Sequence, residues 1–314
     1  MKSFGQYPAR ILLLLAILAV SGPGGGCSVR RLAVNRVGEA LAGGGNTFAS
    51  DDDPELVRHA VPFSLKLMES LLAESPRHQA LLRATAGGFT QYAYAFVQQD
   101  ADELEPKDFA AAESLRARAR KLYIRARGYG LRSLETAHPG FTNALQKSPR
   151  TAVAVLKKPD IQAVYWTAAA WGSLISLGKD DPSRIAEIPQ MEALIDRAEA
   201  LDPDWGNGSI HSFLINYEMI RQGSPGDPAA RARAHFEKAV RLGHDRLAGP
   251  FVTFAEAVCI QKQDSREFDE LLNRALAIQA DAAPEFRLLN LVMQRRARWL
   301  LSRKDDLFLT PAPK

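Results

Sequence analysis

Along most of the chain apolar residues recur at intervals of three and four, the spacing that lines one face of a helix. After Asp227, positions Ala232, Phe236, Ala239, Val240 and Gly243 share a face. After Asp264, positions Phe268, Leu271, Leu272 and Ala275 do the same. Asp-Pro pairs at 53–54, 181–182 and 227–228 mark helix starts. The carboxylate caps free backbone N–H groups, and proline suits the first helical position. Asp264 with Glu267 three residues on has capping-box spacing. No alternating run bounded by turn residues calls for a strand. The pattern predicts an all-α protein.

Several predicted helices end on a common phrase. Leu71 to Pro76, Leu134 to Pro139 and Ala198 to Pro203 each run from an aliphatic or alanine helix end into a proline. Lys238 to Leu242 and Arg274 to Ile278 repeat part of it. The phrase resembles the second helix of a tetratricopeptide repeat, whose period is about 34 residues. The intervals here are irregular, so the expectation is a set of degenerate repeats, stacked as an α-solenoid or bundle in one domain. Each helix pair then buries its apolar face only against its neighbours.

Two stretches break the amphipathic pattern. Residues 89–97 carry Phe89, Tyr92, Tyr94 and Phe96; the first, second and fourth share a face and Tyr94 points elsewhere. Residues 161–177 include Tyr165, Trp166 and Trp171 around three consecutive alanines, and are apolar nearly all round. That predicts a central helix covered on several sides. Core packing accounts for both stretches. The sharper reading is an apolar pocket lined by Phe89, Tyr92, Tyr94, Phe96, Trp166 and Trp171, since amphipathic rings suit such walls.

The N-terminus has a different character. Lys2 and Arg10 precede ten apolar residues, 11–20, and the next charge is Arg30. As a helix this run spans roughly 15 Å, half a hydrocarbon core, which suits a signal peptide better than a membrane span. Cys27 follows three glycines, in a context that resembles a bacterial lipobox. Gly24 stands where that pattern has a large aliphatic residue. Cleavage before Cys27 frees the cysteine for acylation and tethers the protein to a membrane. Cleavage after Ser21 is the rival reading, and leaves an exported protein with a free thiol. The expected organisation is a signal over 1–26, a tether over 27–50 and a helical domain over 51–314.

Composition narrows the chemistry. The 314 residues include 40 Lys+Arg and 36 Asp+Glu, a net charge of +4. That near balance implies no nucleic-acid partner. Two cysteines build neither a disulfide framework nor a thiolate zinc site. Cys259, in an apolar run, reads as a small buried hydrophobe. No two of the six histidines are three or four apart, so no helix-borne metal pair is predicted. Gly43 to Asn46 lacks the Lys-Ser or Lys-Thr of a phosphate loop, and no nucleophile elbow is present. Asp51, Asp52 and Asp53 read as a helix start rather than a cation site. Glu256 is expected in solvent. Arg295, Arg296 and Arg298 are expected on a solvated face, with an anionic surface as the sharper option. No catalytic residues, metal or cofactor are expected.

In order, several segments resemble one family. They are Cys27 to Asn35, Phe48 to Leu56, Met68 to Pro76, Gly88 to Phe96, Trp166 to Asp181, Ala193 to Asp204, Ala230 to Glu237, Gln294 to Leu301 and Asp305 to Phe308. The chain is similar to the T-component, TatT, of tripartite ATP-independent periplasmic (TRAP) transporters. That family implies a non-catalytic periplasmic lipoprotein of cryptic tetratricopeptide repeats, lipidated at Cys27 and held at the outer membrane. It implies a homotrimer and a TRAP solute-binding partner of the DctP type. The solute would be apolar, carboxylate-bearing or lipid-like. A generic cell-envelope scaffold for protein–protein contact is the alternative. A lipid hydrolase is a third reading, without a motif to carry it.

Overall fold

The capping residues start helices where their chemistry requires. In the computed structural model, which describes residues 35–43 and 45–309, Asp53 accepts from the N–H groups of Glu55 and Leu56. Asp181 accepts from Ser183, and Asp227 from Ala229 and Ala230. Asp264 accepts from the Glu267 N–H at 2.9 Å, whereas the Glu267 carboxylate turns away to Arg233 at 2.5 Å. The signal segment and Cys27 lie outside the described residues.

The principal helices are α1 (Pro54–Glu74), α2 (Gln79–Ala93), α3 (Phe109–Ala137), α4 (Phe141–Lys147) and α5 (Ile161–Ser176). They continue as α6 (Ile188–Leu201), α7 (Ser209–Glu218), α8 (Pro228–Leu242), α9 (Ala248–Phe254), α10 (Ser265–Ala277) and α11 (Arg287–Ser302). Among the described residues there is no strand. Helix α2 runs on through a π turn, Tyr94–Gln98, into Gln99–Leu104. Helix α9 runs on through a second, Ala255–Cys259, into Ile260–Lys262. Each π turn shifts the phase of the side chains beyond it, so an α-helical reading of the sequence misplaces them.

Packing is mostly between neighbours: α1 on α2, α2 on α3, α3 on α5, α5 on α6, α7 on α8, and α9 with α10 and α11. Helix α5 is the central helix its composition predicts. Trp171 and Val164 enter one core with Leu134 and Leu194, while Ala170 and Leu174 enter another with Phe89 and Tyr123. A third core gathers Phe236, Phe251, Phe268 and Ala297 from α8 to α11. Ile210 and Leu214 of α7 belong to the first core and Ile215 to the third, so α7 joins the two halves. The array also returns on itself. Helix α11 packs against α1, and the Arg287 guanidinium donates to the Ser50 carbonyl at 2.8 Å.

Where α3 crosses α5, Gly130 sits against Thr167. A Cβ there would lie 2.1 Å from Thr167 Oγ1, which is itself tied to the Ala163 carbonyl at 2.6 Å. Two residues earlier, a Cβ on Gly128 would meet nothing within 4 Å. Opposite effects are expected from one chemical change. Gly130→Ala should destabilise by about 1–3 kcal/mol through overpacking. Gly128→Ala should be neutral or stabilise by up to about 1 kcal/mol. Urea unfolding midpoints of the two variants check this.

Candidate functional site

The six aromatic positions expected to line a pocket are distributed over the three cores. Phe89, Tyr92 and Phe96 lie together on α2 and its π turn, all buried. The Phe89 ring stacks on Tyr129 at 6.1 Å, Arg118 donates to the Tyr92 hydroxyl at 3.2 Å, and Arg58 covers the Phe96 ring. Trp171 is buried in the α5–α6 core, its Nε1 donating to Glu187 at 2.7 Å while Arg127 covers its ring. Trp166 is half-buried, meets Tyr165 edge-on and lies over Gly87 of α2, where a Cβ would be 2.9 Å from its ring. Tyr94 is half-buried against the C-terminal core, with its hydroxyl 3.9 Å from Met293 Sδ. The fold brings Phe89, Tyr92 and Phe96 together and keeps Tyr94 apart from them.

The charged residues of α11 depart from expectation. Arg296 is 7% exposed, Arg295 is half-buried, and only Arg298 of the three arginines is exposed. Arg296 reaches Glu256, in the second π turn, and Asp102 at 2.9 Å, in the segment after the first. Arg295 bonds Asp100 and Glu103, each at 2.7 Å. Arg58 from α1 also takes Asp100, and Arg116 from α3 takes Glu105 at 2.8 Å and Asp102 at 3.5 Å. Glu256 therefore pairs with a buried cation and is only partly open to solvent. Asp100 and Asp102 lie just past the first π turn and Glu256 within the second, where side chains leave the regular α-helical phase.

The energetics follow from burial and charge. Desolvation raises the Asp102 pKa against the pull of Arg296, and the Glu256 charge adds to the rise. Burial works against the Arg296 cation, but Glu256, Tyr94 and Asp102 outweigh it and raise its pKa. Burial likewise pushes Tyr94 up to about 12. Cys259 behaves as the sequence suggests: it is buried, and desolvation with Glu267 nearby pushes its thiol up to about 12. A thiol held neutral in this way is a poor nucleophile.

A second polar centre was not legible in the sequence. Helix α6 ends in Asp202 and Pro203, and Gly206, Asn207 and Gly208 then turn the chain with φ of 64°, 54° and 90°. A Cβ at Gly208 would lie 2.9 Å from Ala239 Cα, so α7 and α8 meet almost backbone to backbone. This contact sets His211 of α7 beside His235 of α8, with their Nδ1 atoms 2.9 Å apart. Glu199 of α6 lies 3.7 Å from the first and 3.9 Å from the second. His211 is fully buried, and its Nε2 donates to the Pro203 carbonyl at 2.8 Å. The two histidines are 24 residues apart, so no helical spacing rule could pair them.

A family model described as TAtT, TRAP transporter T-component, matches residues 50–308. The chain belongs to the TRAP transporter T-component family. An uncharacterized protein of Treponema pallidum (strain Nichols) is 32% identical over 305 residues, covering 90% of this chain and 94% of the relative. Membership gives this T-component a transporter-associated, non-enzymatic role in the cell envelope, in association with other TRAP components. Among the described residues no helix is long and apolar enough to cross a membrane.

Two outcomes are expected from these centres. Arg296→Met removes the cation that the partly buried Asp102 and Glu256 share and should destabilise by about 1–3 kcal/mol at pH 7. The loss should shrink at acidic pH as Asp102, whose pKa desolvation raises, takes up a proton; urea unfolding at pH 7 and at acidic pH checks it. Burial first, then Lys238 and His235, hold the His211 imidazolium pKa at about 4, against 6.5 for a free ring. The unfolded chain then binds the extra proton, so this contribution to stability is full above 6.5 and is lost as pH falls toward 4. A histidine NMR titration should show one ring still neutral at pH 5.5.

Proposed function

We propose that this T-component docks on a TRAP solute-binding protein and assists uptake of an apolar or carboxylate-bearing solute, without catalysing a reaction. The match of the family model over residues 50–308 carries the reading. The stacking of successive helices supports it, because helical arrays present long surfaces to protein partners. Exposed apolar side chains add to that support. Leu56 and Phe63 lie seven residues apart on α1 and are 58% and 74% exposed. Tyr94 and Trp166, the half-buried members of the aromatic set, are the positions assigned to contact with an apolar ligand.

The protein acts as a homotrimer in the periplasm, held at the outer membrane by acylation of Cys27. The basic start, apolar run 11–20 and small residues before Cys27 support export and lipidation. A single acyl chain binds a membrane only marginally, so stable tethering needs the multiple chains of a lipoprotein cysteine.

Detergent-extracted protein should co-purify with the solute-binding subunit of its own TRAP system, and native mass spectrometry should show three copies of the T-component. A monomer without partner or bound apolar material would overturn the docking role. Cys27→Ala should release the protein from membranes into the soluble fraction. An unmodified mature chain beginning at Gly22 would instead establish cleavage after Ser21.

A further inference from the structure

We propose that Glu199, His211 and His235 form a binding site for a borderline divalent cation of the zinc class. Three helices supply one ligand each: α6 the carboxylate, α7 and α8 the imidazoles. The donor atoms are separated by 2.9, 3.7 and 3.9 Å. A point equidistant from three atoms so spaced lies about 2.1 Å from each, the bond length of zinc to imidazole nitrogen and carboxylate oxygen. A two-histidine, one-carboxylate set is suited to zinc and related ions, and too rich in nitrogen for calcium or magnesium.

The surroundings also prepare the site. A carbonyl only accepts, so the 2.8 Å contact to Pro203 places the His211 proton on Nε2. The Nδ1 lone pair then points at the other two ligands. This is the backbone bond that commonly orients a metal-bound histidine. Without metal, His235 must donate from Nδ1 to His211 Nδ1, since both cannot be bare acceptors at 2.9 Å. On binding, the His235 proton passes to its own Nε2 by way of water, and both Nδ1 atoms turn to the cation with no net proton release. Access is from the Glu199 side, where the side chain is 37% exposed against 0% for His211. A water completes the coordination there. Lys238 and Arg221 oppose the cation's charge, and Asp204 takes Lys238 at 4.0 Å.

The bound ion would clamp α6, α7 and α8 at the point where α7 passes from one core to the next. It would therefore fix the angle between the two halves of the array.

The test uses the full chain without an affinity tag, stripped with a chelator and titrated with cobalt(II) alone, then zinc(II) alone. One equivalent of cobalt should give visible ligand-field bands, zinc should displace them, and zinc should raise the melting temperature. Glu199→Gln and His235→Asn should each weaken binding by at least about 10-fold and abolish the thermal shift. Circular dichroism should show wild-type helix content. Glu199 is partly exposed and glutamine keeps its volume, so this variant reads out binding if His235→Asn fails to fold. No cobalt bands, or binding unchanged in Glu199→Gln, would overturn the site and leave a hydrogen-bonded histidine pair.

Discussion

The return of α11 onto the first helices is the constraint on which the rest of the structure depends. Stacked helices need no long-range contact, since each buries its face against the next. Here the last long helix meets the segment after the first π turn through Arg295 and Arg296, across separations of 192 to 195 residues. Carboxylates from the segment after the first π turn and from the second π turn share one partly buried network with cations from α1, α3 and α11. Burying so many charges costs free energy, and hydrophobic packing alone would be less expensive. What the network supplies is register. A guanidinium that must face two carboxylates at once fixes the rotation of α11, which an apolar stripe would leave looser.

That closure bears on the role of the family. An array of stacked helices closed in this way can hold surfaces in fixed positions. Two regions provide rigidity: the ion network where the ends meet, and the turn at 206–208 where α7 lies against α8. Between them the central helix α5 is sheathed by α2, α3 and α6. Its alanines keep the neighbouring backbones close, and Gly130 shows how little room remains.

The aromatic stretches show both the reach and the limit of pattern reading. The shared face of Phe89 and Tyr92 and the separate direction of Tyr94 were legible because the chain stays α-helical up to Tyr94, and Phe96, within the π turn, still joins that face. Beyond that residue the π turn shifts the phase, and the carboxylates 100 to 103 point where a 3.6-residue period does not put them. The same misphasing hid Glu256. A run of arginines on α11 carries the same local signature whether its partners are water or buried carboxylates.

By itself the sequence determined the all-α class, the helix starts at the Asp-Pro pairs, the central place of α5, the buried thiol of Cys259 and the family. Each follows from local chemistry: capping, a 3.6-residue stripe, apolarity on all sides, or the order of segments along the chain. Only the tertiary structure decided that Arg296 is buried, that the two ends meet, and that His211, His235 and Glu199 converge. These depend on distances between residues far apart in sequence. Such distances are set by crossing helices, left-handed turns and π insertions, none of which leaves a periodic trace in the chain.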